Sequence, residues 1–164
     1  MEVFHGSTLI VDTPLVGVGR RNLDFGLGFY VTTIRQQAVD WAQRPINKDL
    51  PQYLNCYDLD IDTILQSQYK YLKFESYNDE WLDFVIGNRH GEKLWADYDL
   101  IEGGIANDRV FNTIELYDAG LITREEALSR LRYEKPNNQV CLIRQELADK
   151  YITFKKAILL NDGK

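Results

Sequence analysis

Apolar and polar positions recur in short blocks along the chain, and most blocks predict one strand or one helix. The apolar runs predict strands at 2–5, 29–32, 53–59, 98–105, 139–143 and 151–159. Helical periodicity predicts helices at 34–43, 78–88, 107–119, 123–132 and 144–149. Because strands lie at both ends and helices in the middle, the pattern indicates an α+β fold.

Local capping signals support several of these boundaries. Thr33 and Asn78 each precede a helical pattern as an N-cap, and Thr123 opens the sequence Thr-Arg-Glu-Glu, which is a capping box. Gly120 follows the third helix as a stop signal. The Gly103–Gly104 pair would mark a bulge or a close approach of the backbone.

Length and composition are those of one folded domain. The chain has 164 residues, 45% of them hydrophobic and 12% aromatic, which is enough apolar surface for a core. It contains no repeat or linker-like stretch, so residues 1–164 are interpreted as a single domain. No apolar run approaches the roughly 18 residues that span a bilayer, and the start lacks the layout of a signal peptide. We therefore expect a soluble, cytoplasmic protein that does not contact membranes.

The sulfur and imidazole side chains give little support for a metal site. Cys56 and Cys141 lie far apart in apolar surroundings, which is typical of reduced core thiols. The two histidines, His5 and His90, come without any Cys-x-x-Cys pair. The sequence therefore gives no ligand set for a structural zinc site, and no metal is predicted.

The net charge indicates which class of macromolecule the protein binds. The formal net charge is −6, and such a chain lacks the broad basic face on which sequence-independent nucleic-acid binding relies. A basic protein partner fits this charge better. A nucleic-acid target stays open if a local basic patch outweighs the average. The candidates for such a patch are Arg20, Arg21, Arg130 and Arg132.

Three short motifs match catalytic signatures but lack the necessary partners. Asp24-Phe25-Gly26 spells the magnesium triplet of kinases, whose other motifs are absent. Gly17-Val18-Gly19 lacks the third glycine and the preceding strand of a dinucleotide loop. His5-Gly6-Ser7 has no acid placed to orient the histidine, so a hydrolase triad is disfavoured.

A pattern within residues 5–42 carries a more specific resemblance. The first strand ends in HGST, a glycine-rich turn leads into FGLGFYVT, and the next helix contains QQAVDWA. These stretches resemble the NAD+-binding half of the diphtheria-toxin and poly(ADP-ribose) polymerase branch of ADP-ribosyltransferases. Still more similar is a bacterial domain-of-unknown-function family assigned to that superfamily, through DFGxGFYVT, WLDFV…NR, AND and Asn-Gln-Val. The resemblance covers nearly the whole chain and implies two small antiparallel sheets that form a cleft with flanking helices.

The resemblance implies a role for each residue of an NAD+ pocket. His5 would hydrogen-bond a ribose hydroxyl, and the Gly6 backbone would hold the nicotinamide carboxamide where a Cβ would crowd it. Tyr30 would stack on the nicotinamide ring. The remaining implied contacts are Ser7 as a second donor, Gly28 in the turn, Trp41 as a second wall, and Arg20 or Arg21 on the pyrophosphate.

The third catalytic position departs from the superfamily. A glutamate is common on a later strand, but here the matching strand begins Asn-Gln-Val, so Gln139 is the candidate and Glu134 a fallback carboxylate. A glutamine orients a hydroxyl group but has no charge to stabilise an oxocarbenium ion and is no general base. Elongation to poly(ADP-ribose) is therefore disfavoured. We expect one transfer, to an acceptor that is nucleophilic by itself or activated by another residue.

These residues predict a mono-ADP-ribosyltransferase that uses NAD+ as its substrate and modifies a macromolecular acceptor, either protein or nucleic acid. Because the chain begins almost at the histidine strand and carries no translocation module, we expect an intracellular toxin of a toxin–antitoxin or phage-defence system, neutralised by a small antitoxin protein. Two alternatives stay open. One is an NAD+ glycohydrolase that transfers to water, and the other is a non-catalytic NAD+ or ADP-ribose-binding module.

Overall fold

Two small β-sheets with helices against them make up the part of the chain that the computed structural model describes, residues 1–104, 108–135 and 137–164. The strands are β1 (Glu2–Ser7), β2 (Phe29–Val31), β3 (Gln52–Leu59), β4 (Tyr71–Lys73), β5 (Leu100–Gly103), β6 (Gln139–Leu142) and β7 (Ile152–Asn161). The helices are α1 (Arg35–Ala42), α2 (Ile61–Gln66), α3 (Asp79–Arg89), α4 (Asp108–Asp118), α5 (Arg124–Leu131) and α6 (Gln145–Tyr151). The predicted α+β class is confirmed.

The two sheets differ in the direction of their strands. The first has the order β1-β3-β7 and is antiparallel throughout. The second has the order β2-β6-β5-β4, and in it β4 and β5 run parallel. The expectation of two purely antiparallel sheets is therefore wrong for this pair. The reason is that α3 lies between β4 and β5 in the chain, and a helical crossover returns the chain in the same direction.

The apolar core consists of three clusters around the sheets. The first lies between the sheets, where Val3 and Tyr57 of one sheet share a cluster with Phe29 and Leu142 of the other. The second covers the other face of the four-stranded sheet with α3, α4 and α5 and includes the fully buried Trp81. The third packs α1 against the three-stranded sheet through residues that include Phe4, Ala38, Val39 and Leu54. Both sheets are thereby covered on their apolar faces.

The helix starts test the capping predictions. The Asn78 side chain accepts a hydrogen bond from the Trp81 amide at 2.9 Å, and the Thr123 hydroxyl accepts one from the Glu126 amide at 3.1 Å, so both predicted caps are confirmed. The predicted Thr33 cap is wrong. Its hydroxyl instead donates to the side chain of Asn138, which is distant in sequence.

The structure also tests the predictions made for glycine and cysteine residues. Gly120 has a positive φ of 73° just beyond α4, which confirms the predicted stop. A Cβ at Gly104 would lie 2.6 Å from the ring of Tyr77, so this glycine permits a close approach. Cys56 and Cys141 are free and buried, as predicted.

Two elements were not predicted, and part of one prediction falls outside the described residues. The helix α2 and the three-residue strand β4 carry no clear periodic signal in the sequence. The predicted helix start at 107, with most of the AND stretch, lies outside the described residues. Within the described ranges, no helix is long and apolar enough to cross a membrane.

Candidate functional site

The candidate site begins where β1 and β2 separate. Phe4 and Thr32 exchange two backbone hydrogen bonds of 2.8 and 2.9 Å, so the N–H and C=O groups of Phe4 point away from β3. Backbone groups two residues apart in a strand point to the same side, and Gly6 therefore turns its N–H and C=O to this side as well. Among the described residues, neither group bonds to another element. The edge of β1 thus offers one donor and one acceptor.

Gly6 is a glycine because α1 lies directly against it. A Cβ at this position would lie 1.9 Å from the carbonyl oxygen of Ala38 and 2.9 Å from the amide nitrogen of Ala42. Contact with the helix is therefore by itself a reason for a glycine at this position, and the predicted crowding of a nicotinamide stays a prediction. Contact between the Gly6 peptide groups and a carboxamide stays a prediction.

The orientation of α1 places one flank over this edge. Ala38 lies above β1, and Val39 packs on the side of β3. With 3.6 residues per turn, Gln37 and Trp41 fall on the opposite side of Ala38 from Val39, over the open edge of β1. The Trp41 side chain is 48% exposed, and the Gln37 side-chain oxygen is buried without a hydrogen-bond partner among the described residues. The open edge therefore has an aromatic and an amide side chain above it.

His5 is fixed in one protonation state by its neighbours. Its Nδ1 lies 2.7 Å from the carbonyl oxygen of Tyr30, which can only accept, so Nδ1 carries the proton. The ring packs on Phe29 with 4.7 Å between centroids. Burial lowers the pKa of His5 below its ordinary value of 6.5, against the opposing effect of the Tyr30 hydrogen bond. His5 is thus neutral at pH 7, and its Nε2 can accept a hydrogen bond from a hydroxyl group.

Tyr30 is fastened to the turn that precedes it. Its hydroxyl donates to the Gly26 carbonyl at 2.6 Å and accepts from the Phe25 amide at 3.2 Å. Burial, more than any other cause, raises its pKa well above the usual value. The hydroxyl therefore keeps its proton, and Tyr30 offers a fixed ring. Stacking of that ring on nicotinamide stays a prediction.

The glycines of the turn are explained by packing within the protein. Gly26 has a φ of 81°, and a Cβ there would lie 2.0 Å from the ring of Trp95. A Cβ at Gly28 would lie 2.5 Å from the sulfur of Cys141 and 2.6 Å from the carbonyl oxygen of Leu142. Gly28 is needed for the approach of β2 to β6, and its contact with NAD+ stays a prediction.

The polar residues between β1 and β2 lie close to the surface. The Ser7 hydroxyl accepts a hydrogen bond from the Leu9 amide at 3.2 Å and keeps its own proton for another acceptor. Arg20 and Arg21 are both exposed. Gly19 precedes Arg20 and faces Gly28: a Cβ at Gly19 would lie 3.6 Å from the Gly28 carbonyl oxygen. The loop with Arg20 therefore runs beside the turn that leads into β2.

Arg44 contacts the predicted residue Trp41 and was missed in the sequence. Its guanidinium carbon lies 3.5 Å from the ring centroid of Trp41, and its Nε donates to the Trp41 carbonyl at 3.2 Å. Burial, and secondarily the charge of Arg20, lowers the pKa of Arg44. The i, i+3 spacing of Trp41 and Arg44 was the available signal.

Gln139 lies on the strand that pairs with β2. Tyr30 is opposite Cys141, and strand alternation puts Gln139 on the same face of the sheet as these two residues. Its partner in β5 is Gly103. The structure therefore gives Gln139 and Tyr30 a common face. His5 lies on the opposite face, because its ring packs on Phe29, the neighbour of Tyr30 in β2.

Asn138, next to Gln139, is the centre of a polar network that the sequence did not reveal. Its Nδ2 donates to Glu102 Oε1 at 2.9 Å, and its Oδ1 accepts from the Thr33 hydroxyl at 3.0 Å. The Thr32 hydroxyl donates to the Asn138 carbonyl at 2.6 Å. Glu102 also accepts a hydrogen bond from Tyr71. The network ties the start of β6 to the residues that precede α1.

Two surface cavities of about 320 Å³ each lie away from this edge. The first is lined by residues that include Tyr77, Leu131 and Glu134, so the fallback carboxylate Glu134 lies there. The second lies beside Met1 and Asp58. In the part of the chain that the structure describes, no three His, Cys, Asp or Glu side chains come together as metal ligands.

The match to known proteins covers all of these residues. A family model described as a protein of unknown function, DUF3990, matches residues 1–154. None of the curated proteins compared with the chain matches it, and none of the solved structures does. The matched range includes both β1 and α1, as well as Gln139.

Proposed function

The chain belongs to the DUF3990 family, and we propose that it is a mono-ADP-ribosyltransferase that uses NAD+ as the donor of ADP-ribose. The observation that carries this proposal is the open edge of β1, where Gly6 turns an N–H and a C=O outward under Trp41. A primary carboxamide has both an acceptor oxygen and donor N–H groups, so it is complementary to this edge. Nicotinamide combines that carboxamide with an aromatic ring.

The chemistry of the donor fits the residues beside the edge. The bond between nicotinamide and C1 of the ribose breaks, its electron pair leaves with nicotinamide, and the ribose gains oxocarbenium character. The acceptor then forms the new bond to C1 and loses a proton to solvent. We assign to His5 Nε2 the role of accepting a hydrogen bond from a ribose hydroxyl. A preorganised acceptor of this kind lowers the cost of orienting the sugar in the transition state.

Gln139, which the resemblance places at the glutamate position, has an amide side chain and lies on the sheet face opposite His5, so we assign it no contact with the ribose. It can orient a hydroxyl group, but it neither removes a proton nor balances the positive charge on the ribose. We therefore propose a single transfer, to a group that is already nucleophilic at neutral pH. The acceptor is a protein side chain or a nucleic acid.

Incubation of the purified protein with NAD+ labelled in the adenylate part and with a bacterial lysate tests the proposal. The wild-type protein should release nicotinamide and label a macromolecule. His5→Ala should lower both rates by about a hundredfold, which is the order of effect seen when one oriented polar group is lost from a catalytic site. His90→Ala is the matched control, because His90 is exposed and pairs with Asp118. Intact NAD+ and an unlabelled lysate with the wild-type protein would contradict the proposal.

Because Gln139 is not a carboxylate, two other functions are also considered, and the same experiment distinguishes them from the transferase. Release of free ADP-ribose without a labelled macromolecule would identify an NAD+ glycohydrolase. Binding of NAD+ without any cleavage would identify a non-catalytic binding module. In that second case, Gln139→Ala should leave the cellular effect of the protein unchanged.

We further propose the setting that the resemblance implies, a toxin neutralised by a small partner protein. Induced expression in a bacterial host should arrest growth with the wild-type chain and leave growth normal with His5→Ala at equal protein level. Equal growth with both chains would contradict a toxic transferase activity.

A further inference from the structure

We infer that Gln37 of α1 determines specificity: its side-chain carbonyl accepts a hydrogen bond from the amino group of a primary carboxamide held at Gly6. The site thereby distinguishes an amide from an acid or a ketone of the same shape. The identification of the carboxamide as that of nicotinamide rests on the proposed function. The observation behind the inference is a buried oxygen atom without a hydrogen-bond partner.

The side-chain oxygen of Gln37 differs from the other buried polar atoms of the fold. In the part of the chain that the structure describes, it is the one buried side-chain nitrogen or oxygen atom without a hydrogen-bond partner. The fully buried amides of Asn55 on β3 and Asn88 on α3 each have both the oxygen and the nitrogen bonded. Because a buried carbonyl without a donor is unfavourable, a donor from a ligand would stabilise this arrangement.

The neighbouring Gln36 shows that the amide of a glutamine on α1 can be satisfied within the helix. Its Nε2 donates to Asp40 Oδ1, one turn further along α1, at 2.7 Å, and the Gln36 side chain is exposed. The two glutamines share residue type and helix but lie on different sides of α1. Gln36 is therefore the matched control for Gln37.

The placement of Gln37 follows from the contact between α1 and β1. A Cβ at Gly6 would lie 1.9 Å from the carbonyl oxygen of Ala38, so the helix backbone lies directly against this glycine. The Cα atom of Gln37 is about 3.8 Å from that of Ala38. Val39 packs with residues of β3, and Gln37 falls on the other side of Ala38, over the open edge of β1. Gln37 is therefore close to a group that binds the Gly6 peptide.

A primary carboxamide has one more donor than the edge of β1 can use. Its oxygen accepts from the Gly6 N–H, and one of its two N–H groups donates to the Gly6 carbonyl. The second N–H needs another acceptor, and the Gln37 oxygen needs a donor. A carboxylate or a methyl ketone in the same place has no N–H group and would leave both carbonyl oxygens without a partner.

The stability of the free protein distinguishes a ligand contact from a structural role. Gln37→Met removes the carbonyl oxygen and keeps a side chain of similar length. Its Tm without ligand should equal or exceed that of the wild-type protein, because no hydrogen bond within the described ranges is lost. Gln36→Met is the control, since it breaks the bond to Asp40. A lower Tm for Gln37→Met than for Gln36→Met would show that Gln37 is structural and would overturn the inference.

NMR titrations with nicotinamide and with 3-acetylpyridine, its methyl ketone analogue, test the contact without any catalytic step. The wild-type protein should bind nicotinamide at least about tenfold more tightly than 3-acetylpyridine. Gln37→Met should lower this preference about fivefold, the order expected for one net hydrogen bond, and Gln36→Met should leave it unchanged. An equal preference in the wild-type protein and Gln37→Met, or no binding of nicotinamide by the wild-type protein, would overturn the inference.

Steady-state kinetics with NAD+ and its 3-acetylpyridine analogue relate the contact to the transferase. The contact is present in the bound substrate and in the transition state, so Gln37→Met should raise the KM for NAD+ about fivefold and leave kcat unchanged. If NAD+ is not cleaved while the preference for nicotinamide depends on Gln37, the inference stands and the transferase proposal fails. If NAD+ is cleaved while Gln37→Met keeps the full preference, the transferase stands and the inference fails.

Discussion

The helical side of the four-stranded sheet and the open edge of β1 differ in the partners of their arginine side chains. On the helical side, Arg124 of α5 bonds to Asp79 and Asp83 of α3, and Arg89 pairs with Asp24 at 2.7 Å. At the edge of β1, Arg44 packs on the ring of Trp41, and within the described ranges it forms no ion pair with a carboxylate. The first arrangement stabilises the fold, whereas the second leaves donors for a ligand.

The two regions also differ in whether their backbone N–H and C=O groups are hydrogen-bonded. On the helical side, Asn78 and Thr123 cap the N-termini of α3 and α5. At the edge of β1, the peptide groups of Gly6 stay open, although α1 lies close enough to require a glycine there. Open polar groups beside tightly packed elements are typical of a binding site on a rigid scaffold.

The largest effect on stability should come from filling the contact between β1 and α1. Gly6→Ala would place a Cβ 1.9 Å from a backbone oxygen, so α1 has to move. We expect a loss of about 3 kcal/mol in the free energy of unfolding, at the upper end for overpacking. Gly17→Ala is the control, because no atom lies within 4 Å of its Cβ. Urea unfolding measures both, and a Gly6→Ala variant as stable as Gly17→Ala would contradict this packing.

The next largest effect should come from the network that connects the two regions. Glu102→Ala removes the acceptor of hydrogen bonds from Tyr71 and Asn138. The expected loss is about 2 kcal/mol, the range for bonds to a charged group. Glu75→Ala is the control, since the Glu75 side chain is 81% exposed. Equal unfolding midpoints for the two variants would show that the network does not hold the start of β6 in place.

A smaller effect should distinguish the paired from the unpaired arginines directly. Arg124→Ala breaks a clamp that joins α3 to α5, and we expect a loss of about 1 kcal/mol because the partners are exposed. Arg44→Ala removes a stacking contact and one hydrogen bond to Trp41 but breaks no ion pair within the described ranges, so its loss should be smaller than that of Arg124→Ala. Thermal unfolding at low salt measures the difference. A larger loss for Arg44→Ala than for Arg124→Ala would show that Arg44 is structural.

The smallest effect concerns the pH dependence of stability at His5. The folded protein holds the pKa of His5 below its ordinary value of 6.5, so folding favours the neutral ring. The unfolded chain then binds more protons in this range, and stability falls as the pH drops below about 6.5. His5→Gln should lose less stability than the wild-type protein between pH 7.5 and 5.5. The melting temperature of each protein is measured across this pH interval. An equal fall for the two proteins would show that the folded protein does not hold His5 neutral.

The sequence predicted best what depends on neighbouring residues. The caps at Asn78 and Thr123 are local, and both were predicted correctly. The cap assigned to Thr33 failed because its hydroxyl binds Asn138, which only the folded chain brings near. Strand β4 was missed because three residues are too few for a periodic signal, and its parallel partner β5 is distant in sequence.

The candidate site shows the same limit. The glycines of HGS and FGLG marked positions where the backbone packs closely, but their contacts with Ala38 and Cys141 follow from tertiary structure. Arg44 was missed because its position over the ring of Trp41 depends on how the chain turns at the end of α1. The tautomer of His5 likewise depends on the carbonyl of Tyr30.

Backbone and indole NMR shifts during titration with nicotinamide, followed by NAD+, test most directly whether the open edge of β1 is the binding site. We predict that nicotinamide shifts the amide of Gly6 and the indole signal of Trp41, and that NAD+ shifts these two and the side chain of Arg44. The signals of Tyr77 and Leu131, which line a separate cavity, should stay unchanged. Shifts confined to that cavity, or no shifts at Gly6 and Trp41 at saturating NAD+, would contradict an NAD+ site at the edge of β1.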